Sequence, residues 1–402
     1  MPTLPSPRLP FRSRGGVFLF GIFVALGLLG LFRSGHSGHY EIFEFAAREL
    51  WAGRNPYEKA FDSGWWFYSP LCGLLVFGPF AWMPHLTGVL TFEFVSIGVF
   101  VWGLRRTLDA FLPERGWKVQ ALWALLASEV LGNILNARLE LLMLGLFFAA
   151  LPSTKRPKDA WIADLVFALL ANWKLQVLPI AGLFYAGLWL EKRAWKPGLR
   201  FGSALLVSFL LPALRFGVGG LVDLHEAWGR SLDFYVRTNW LEFLNVWNFA
   251  RAWSGFEFPG GPRGWTLGAG LLFALTHLFA LRWRRISATS RDGILQAAGL
   301  GALYTTCFSP LAQSAAYVFT APLLLAWLRA LPGDPTEARR VGALRDGIAF
   351  WFLVSGLGSD LVPRVVRDWG RDRALKALGP IWLAAAWLRR SLSRNDPTRT
   401  DA

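Results

Sequence analysis

Several turns between apolar stretches carry polar side chains of the types that bind anions or catalyse reactions. The stretch NILNARLELLML, residues 133–144, places Asn136, Arg138 and Glu140 at one turn, and ANWKLQVLP, residues 171–179, places Lys174 at another. Arginine suits bidentate contact with a phosphate, and a lone lysine in an outer turn between apolar helices, against the positive-inside trend, favours a bound anion. Two other interpretations stay open: Arg138 and Glu140 neutralise one another at a helix end, or the Lys174 ammonium snorkels to the membrane interface.

Carboxylates follow the first apolar stretch, in HYEIFEFAARELWAGRNPY, residues 39–57. Glu41 or Glu44 could act as a general base toward a hydroxyl group. Tyr57 closes this stretch and Tyr68 begins YSP, and we expect both tyrosines to contact substrate. The alternative is an ordinary amphipathic surface helix.

A further turn, FSPLAQSAAY at residues 308–317, offers Gln313 and Tyr317 to a sugar or a head group. Helix capping and turn chemistry explain its Ser309-Pro310 pair equally well. Asn245 lies in a long segment rich in aromatic and asparagine side chains, which suit carbohydrate. We therefore predict substrate contacts for these three residues.

The elements that must position these residues are membrane helices. Hydrophobic residues make up 54% of the 402, and charged residues only 17%, against about 25% in a typical soluble domain. The apolar residues form runs of roughly 14 to 18, and many of the 22 tryptophans lie near the ends of these runs. The composition predicts an all-α polytopic membrane protein and excludes a soluble enzyme.

The charge distribution predicts topology rather than a nucleic-acid partner. The formal net charge of +15 resides mainly in Lys and Arg of short loops, which is the positive-inside pattern. Two cysteines give no spaced motif, so neither a disulfide framework nor a metal site is indicated. No phosphate-loop or dinucleotide motif stands in a convincing context, and we expect no cofactor.

Counting crossings from a cytoplasmic N-terminus gives about eleven transmembrane helices in one domain, residues 1–402. Residues 33–87 then form an external loop, in which the proline-interrupted stretch 69–83 is a re-entrant or interfacial helix. Residues 215–263 form a second external segment. The basic stretch 358–376 fits poorly, since the count places it on the outer face.

Taken in order, these stretches resemble glycosyltransferase family 87, which includes mannosyltransferases dependent on polyprenyl-phosphate-mannose. The resemblance rests on AARELWAGRNPY at 46–57, YSP at 68–70, the turn at 137–140, Lys174, and SPLAQ at 309–313. It implies a GT-C type fold and transfer of a sugar, mannose first of all, from polyprenyl phosphate to a lipid or glycan acceptor outside the cell membrane. It also implies that Lys174 and Arg138 bind the donor phosphate.

Three positions depart from the family pattern. His39 stands where the family has an aspartate, seven residues before the alanine pair, and Glu41 and Glu44 are the nearby carboxylates that could replace it. Ala316 stands near an expected histidine, and ARLE replaces a GQxN-like turn. Two alternatives to an active enzyme therefore stay open: a non-catalytic family member that binds a lipid-linked sugar, and a transporter or flippase.

Overall fold

The computed structural model describes residues 15–34, 38–63, 65, 67–112, 116–156, 158–191, 195–238, 244–255, 262–309, 314–332, 337–356 and 364–393. Throughout these ranges the regular elements are helices, as the composition predicts. Short 3₁₀ and π turns join or extend several of them. Gln313 lies outside the described residues, so its predicted role has no structural counterpart.

The first half of the chain contributes ten α-helices: α1 Gly15–Ser34, α2 Gly38–Trp51, α3 Lys59–Ser63, α4 Pro70–Cys72, α5 Gly78–Ala81, α6 His85–Phe111, α7 Trp117–Leu135, α8 Glu140–Ala150, α9 Ala160–Trp173 and α10 Leu178–Leu190. The second half contributes nine: α11 Trp195–Leu210, α12 Ala213–Thr238, α13 Val246–Ser254, α14 Pro262–Trp283, α15 Arg291–Leu303, α16 Ala321–Ala330, α17 Glu337–Trp351, α18 Arg364–Asp372 and α19 Leu378–Ser393.

Several helices carry the lengths and surfaces of membrane spans. Within the described ranges, Gly15–Phe32, His85–Phe111 and Gly264–Trp283 are long and apolar enough to cross a bilayer. The pair α11 and α12 could form a fourth crossing, although it bends by 88° at its break. Shorter apolar helices include Pro70–Ala81, within the predicted re-entrant stretch. The predicted total of about eleven crossings stays a prediction.

Basic side chains gather at one end of the bundle. Arg106, near the end of α6, donates to the Ser153 hydroxyl at 3.3 Å, beyond the end of α8. Lys155 lies close enough to Arg291 and Arg329 for their positive charges to lower its pKa, after the larger effect of its burial. The end of α6, the end of α8 and the start of α15 are therefore neighbours.

The two segments predicted to be external contact each other. The Trp228 indole of α12 donates to the Phe67 carbonyl at 3.3 Å, and Arg215 donates to the Trp51 carbonyl at 2.6 Å. The rings of Phe61 and Phe234 lie 5.2 Å apart, centroid to centroid. Residues 215–238 thus pack on the segment between α2 and α4, and the external position of both segments stays a prediction.

Glycines bring α6 and α8 into close contact. A Cβ added at Gly103 would lie 2.0 Å from the Gly145 carbonyl oxygen, and one at Gly145 would lie 2.6 Å from the Phe100 backbone nitrogen. Small residues let helix backbones approach in membranes, where packing replaces the hydrophobic effect as the driving force. This contact fixes α8, whose first residue is Glu140.

Ion pairs hold the C-terminal helix α19 near both of its ends. Arg390 of α19 donates to Asp346 of α17 at 2.9 Å. Lys376, just before α19, contacts both carboxylate oxygens of Glu129 of α7, at 3.0 and 3.1 Å. Lys376 is only 3% exposed, so this member of the basic stretch 358–376 is a buried ion-pair partner and not a surface charge.

Candidate active site

Helix α2 presents two different polar faces. His39 lies near Phe43 on one face, and Glu41, Glu44 and Arg48 lie on the other, because residues three or four apart share a helix face. Phe43 packs on Tyr68, with ring centroids 4.6 Å apart. The His39 face is therefore turned toward the interior of the protein.

The turn between α7 and α8 directs Arg138 toward His39. Ala137 has a left-handed backbone with φ of 44°, which costs roughly 1 kcal/mol or more in a residue with a Cβ. Its neighbour Asn136 donates to the Gly132 carbonyl at 2.7 Å and so caps α7. The Arg138 guanidinium reaches the His39 Nε2 at 2.9 Å. Burial, reinforced by the Arg138 charge, lowers the pKa of His39 to about 4, so the imidazole is neutral at neutral pH.

The end of α9 supplies the second cation. The helix stops at Trp173, and Lys174 takes an extended backbone that turns its side chain inward. The Lys174 Nζ donates to the Glu140 Oε1 at 2.5 Å, and Lys174 is only 8% exposed. The ammonium does not snorkel to the interface, and it forms a buried ion pair with Glu140.

Tyr68 completes the contacts of this carboxylate. Its hydroxyl donates to the other Glu140 oxygen at 3.2 Å, and the Lys174 ammonium lies 5.9 Å from its ring centroid. Tyr57 donates to the Tyr68 carbonyl at 3.0 Å and so holds the Tyr68 backbone in place. Both tyrosines are buried.

Two residues that we did not single out from the sequence belong to the same region. The Ser69 hydroxyl donates to the Asn172 Oδ1 at 2.7 Å, and both residues are fully buried. In the described part of the protein, the Asn172 amide nitrogen and the neighbouring Trp173 indole nitrogen find no hydrogen-bond acceptor. Such buried donors are rare in native proteins and mark places where a ligand could bind. The sequence signal was present, because Asn172 interrupts the apolar run that ends α9, directly before Trp173 and Lys174.

The predicted base candidates Glu41 and Glu44 form a different cluster. Glu44 contacts the Arg48 guanidinium at 2.5 Å and the His85 Nδ1 at 2.6 Å, and it is 9% exposed. The Glu41 carboxylate lies 4.0 Å from the His85 Nε2 and its side chain is 44% exposed. Of the three predicted catalytic residues, only His39 contacts the Arg138 side.

Tyr317 and Asn245 lie around the buried pair of Glu129 and Lys376. The Tyr317 hydroxyl donates to the Leu244 carbonyl, and the Lys376 ammonium lies 5.0 Å from the Tyr317 ring centroid. Asn245 caps the start of α13, because its side-chain oxygen accepts a hydrogen bond from the Asn248 backbone N–H. Its amide nitrogen donates to the Ser309 carbonyl at 3.4 Å. The polar groups of Tyr317 and Asn245 thus form hydrogen bonds that hold neighbouring segments of the protein together. Their predicted contact with substrate stays a prediction.

The arrangement on the His39 side can bind an anion. Among the described residues, two cations, Arg138 and Lys174, converge with one carboxylate, Glu140, and a neutral imidazole, His39. An excess of positive charge in a buried site suits a phosphate group, since buried charges require partners. Within these same residues, no group of three His, Cys, Asp or Glu side chains is arranged to hold a metal ion.

Comparison with known proteins identifies a family for this chain. The family model described as Glycosyltransferase family 87 matches residues 66–310, which include Tyr68, Arg138, Glu140 and Lys174. No curated protein matches the chain. The family match covers more than half of the sequence and confirms the resemblance noted in its motifs. With its apolar helices and its buried polar cluster between them, the chain belongs to glycosyltransferase family 87, a family of membrane glycosyltransferases.

Proposed function

We propose that this membrane glycosyltransferase moves a hexose from a polyprenyl phosphate to a lipid or glycan acceptor outside the cell membrane. Mannose is the first candidate for this hexose. The observation that carries the proposal is the buried cluster of Arg138, Lys174 and Glu140. A sugar linked to polyprenyl phosphate is a phosphodiester with one negative charge. One surplus positive charge in the cluster complements that group.

The reaction explains why cations are needed at this place. The acceptor oxygen forms a bond to the anomeric carbon of the sugar while the bond from that carbon to the phosphate oxygen breaks. The phosphate oxygen keeps the electron pair, so the leaving polyprenyl phosphate gains negative charge. Arg138 and Lys174 stabilise this developing charge. Glu140 and Tyr68 hold the Lys174 ammonium in position for it.

The acceptor proton requires a base, and the sequence offers Glu41, Glu44 and His39. His39 faces the Arg138 guanidinium, so we assign it to positioning Arg138. Glu44 has both of its oxygens in contact with Arg48 or His85, whereas the Glu41 side chain is nearly half exposed. We therefore propose Glu41 before Glu44 as the general base, with the acceptor approaching from the side of His85.

The proposed partners follow from this reaction. They are the polyprenyl-phosphate sugar, the lipid or glycan acceptor and the surrounding membrane lipids, with no nucleic acid and no cofactor. Asn136, Tyr57, Asn245, Gln313 and Tyr317 are proposed to complete the substrate contacts. The gathering of basic side chains at the end of the bundle away from Glu140 supports a cytoplasmic N-terminus in the cell membrane.

A transfer assay with the purified full-length protein in lipid tests the proposal. Labelled sugar should pass from polyprenyl-phosphate-mannose, and not from a nucleotide-linked mannose, to acceptor lipid. Glu41→Gln should abolish turnover while donor binding persists, and Arg138→Gln should weaken both donor binding and turnover. Transfer from the nucleotide donor alone would reject the proposed donor class.

A second function is favoured by one observation, the histidine at position 39. The resemblance expects an aspartate there, and a neutral imidazole cannot replace it as a base while it faces Arg138. A protein that binds lipid-linked sugar without transferring it would keep donor binding and show no turnover in the same assay. A transporter ranks below both, because the family match indicates glycosyltransferase activity. Transport of the intact donor without release of polyprenyl phosphate would identify it.

A further inference from the structure

A cavity lined partly by charged side chains lies at the basic end of the bundle, away from Glu140 and Lys174. Its volume is about 360 Å³, and it lies between the ends of α9, α10 and α11, next to the turn that follows α8. That volume falls in the usual range of small-molecule sites. Lys155, Lys196 and Arg200 line it together with a single carboxylate, Asp164.

The charges around this cavity do not balance. Both oxygens of Asp164 are occupied, because Arg200 donates to one at 2.6 Å and the Tyr185 hydroxyl donates to the other at 2.6 Å. Arg200 is thereby neutralised. In the described part of the chain, Lys155 and Lys196 form no ion pair; their ammonium groups lie 5.5 and 5.3 Å from the ring centroids of Phe111 and Trp195.

Lys155 also lies in a positive field. Burial lowers the pKa of Lys155, and so do the charges of Arg291, Arg156 and Arg329. Like charges brought together in this way favour a bound anion, which would remove their repulsion. An anion bound between Lys155 and Lys196 would therefore be stabilised by the charges that line the cavity.

The walls of the cavity indicate what kind of molecule carries that anion. Phe184, Leu188 and Pro197 provide an apolar lining. Trp195 at its edge is 65% exposed, and Leu199, one turn further along α11, is 61% exposed. Exposed tryptophan beside exposed leucine is typical of the interface between lipid tails and head groups. The cavity therefore adjoins the surface that lipid covers.

We propose that this cavity binds the phosphate of an anionic phospholipid head group, with Lys155 and Lys196 as its cationic ligands. The site is separate from the proposed transfer site and does not depend on the sugar donor. The glycerol and the first chain carbons would lie against Phe184 and Leu188. Bound lipid would join the turn after α8 to α11, and so stabilise the folded protein.

The test is the thermal unfolding midpoint of the full-length protein in detergent, measured while lipid is added. Phosphatidylglycerol should raise the midpoint at lower concentration than phosphatidylcholine does. In the double variant Lys155→Gln and Lys196→Gln, the half-saturating concentration of phosphatidylglycerol should rise roughly tenfold. The variant Lys155→Arg with Lys196→Arg keeps both charges and should bind nearly as the native protein does.

A matched control removes two charges from the same end of the bundle but outside the cavity. Arg105→Gln with Lys158→Gln should leave the half-saturating concentration within about twofold of the native value, because both side chains are exposed and neither lines the cavity. An equal loss in this control would show diffuse surface attraction and overturn the site. So would equal stabilisation of the native protein by the two lipids.

Inorganic phosphate distinguishes the source of the anion. If it stabilises the native protein as effectively as phosphatidylglycerol does, and the double glutamine variant loses this effect, the ligand is free phosphate and the lipid proposal is wrong. If it has no effect at concentrations at which the lipid saturates, the head group together with its chains is the ligand.

Discussion

At the scale of single residues, the pair of Lys174 and Glu140 should carry much of the local stability. Lys174→Met leaves the fully buried Glu140 without its closest cation, which typically costs about 3–5 kcal/mol. We expect a clear drop in the thermal unfolding midpoint. Adding Glu140→Gln to Lys174→Met should recover most of the loss, because no buried charge is then left without its partner.

The exposed pair of Arg54 and Glu49 provides the comparison. Its N–O distance of 2.6 Å is almost the same, but the Arg54 side chain is 64% exposed. Arg54→Gln should leave the unfolding midpoint nearly unchanged, since water and salt screen surface pairs. Equal effects at the two sites would contradict the assignment of a buried, closely coupled pair near Arg138.

His39 should make stability depend on pH. Its pKa is about 4 in the folded protein and near 6.5 when unfolded, so the unfolded chain binds more protons between these values. The contribution of His39 is complete above pH 6.5 and is lost as the pH falls toward 4. The asparagine in His39→Asn cannot be protonated in this range. Between pH 7 and pH 4.5, the unfolding midpoint of this variant should therefore fall less steeply than that of the native protein. Parallel slopes would mean that burial beside Arg138 does not hold the imidazole neutral.

At the scale of helices, the contact of α6 with α8 should not tolerate a methyl group. Gly145→Ala would place a Cβ 2.6 Å from the Phe100 backbone, and we expect destabilisation of about 1–3 kcal/mol and a loss of transfer activity as Glu140 shifts. Gly98→Ala, also on α6, meets no atom within 4 Å and should be neutral or slightly stabilising because alanine favours helix. The measurement is the unfolding midpoint of each variant. Equal midpoints for Gly145→Ala and Gly98→Ala would contradict the close contact of α6 with α8.

At the scale of the whole molecule, the two ends of the bundle should face opposite sides of the membrane. Glu58→Cys and Lys158→Cys place thiols at exposed positions of the opposite ends, and the native cysteines Cys72 and Cys307 are buried. In intact cells, a membrane-impermeant maleimide should label the first variant, and label the second only after the cells are opened. The reverse pattern would invert the predicted orientation of the N-terminus.

The amino-acid sequence alone determined the class of the protein and the places where chemistry could occur. Hydropathy and charge are local properties, so runs of apolar residues and basic loops predicted membrane helices in a positive-inside arrangement. Motif order identified the family. Polar residues at the turns gave Arg138, Glu140, Tyr68 and Lys174 as separate candidates.

Only the tertiary structure decided how that set is paired. Glu140 meets Lys174, 34 positions away, because α8 and α9 pack together at that end; the sequence could not choose between this partner and nearby Arg138. Helical periodicity separates His39 from Glu41 and Glu44, yet it does not say which face of α2 is turned inward. Lys376 is likewise buried by Glu129 of a distant helix. Contacts between remote segments depend on how whole helices pack, which no local pattern encodes.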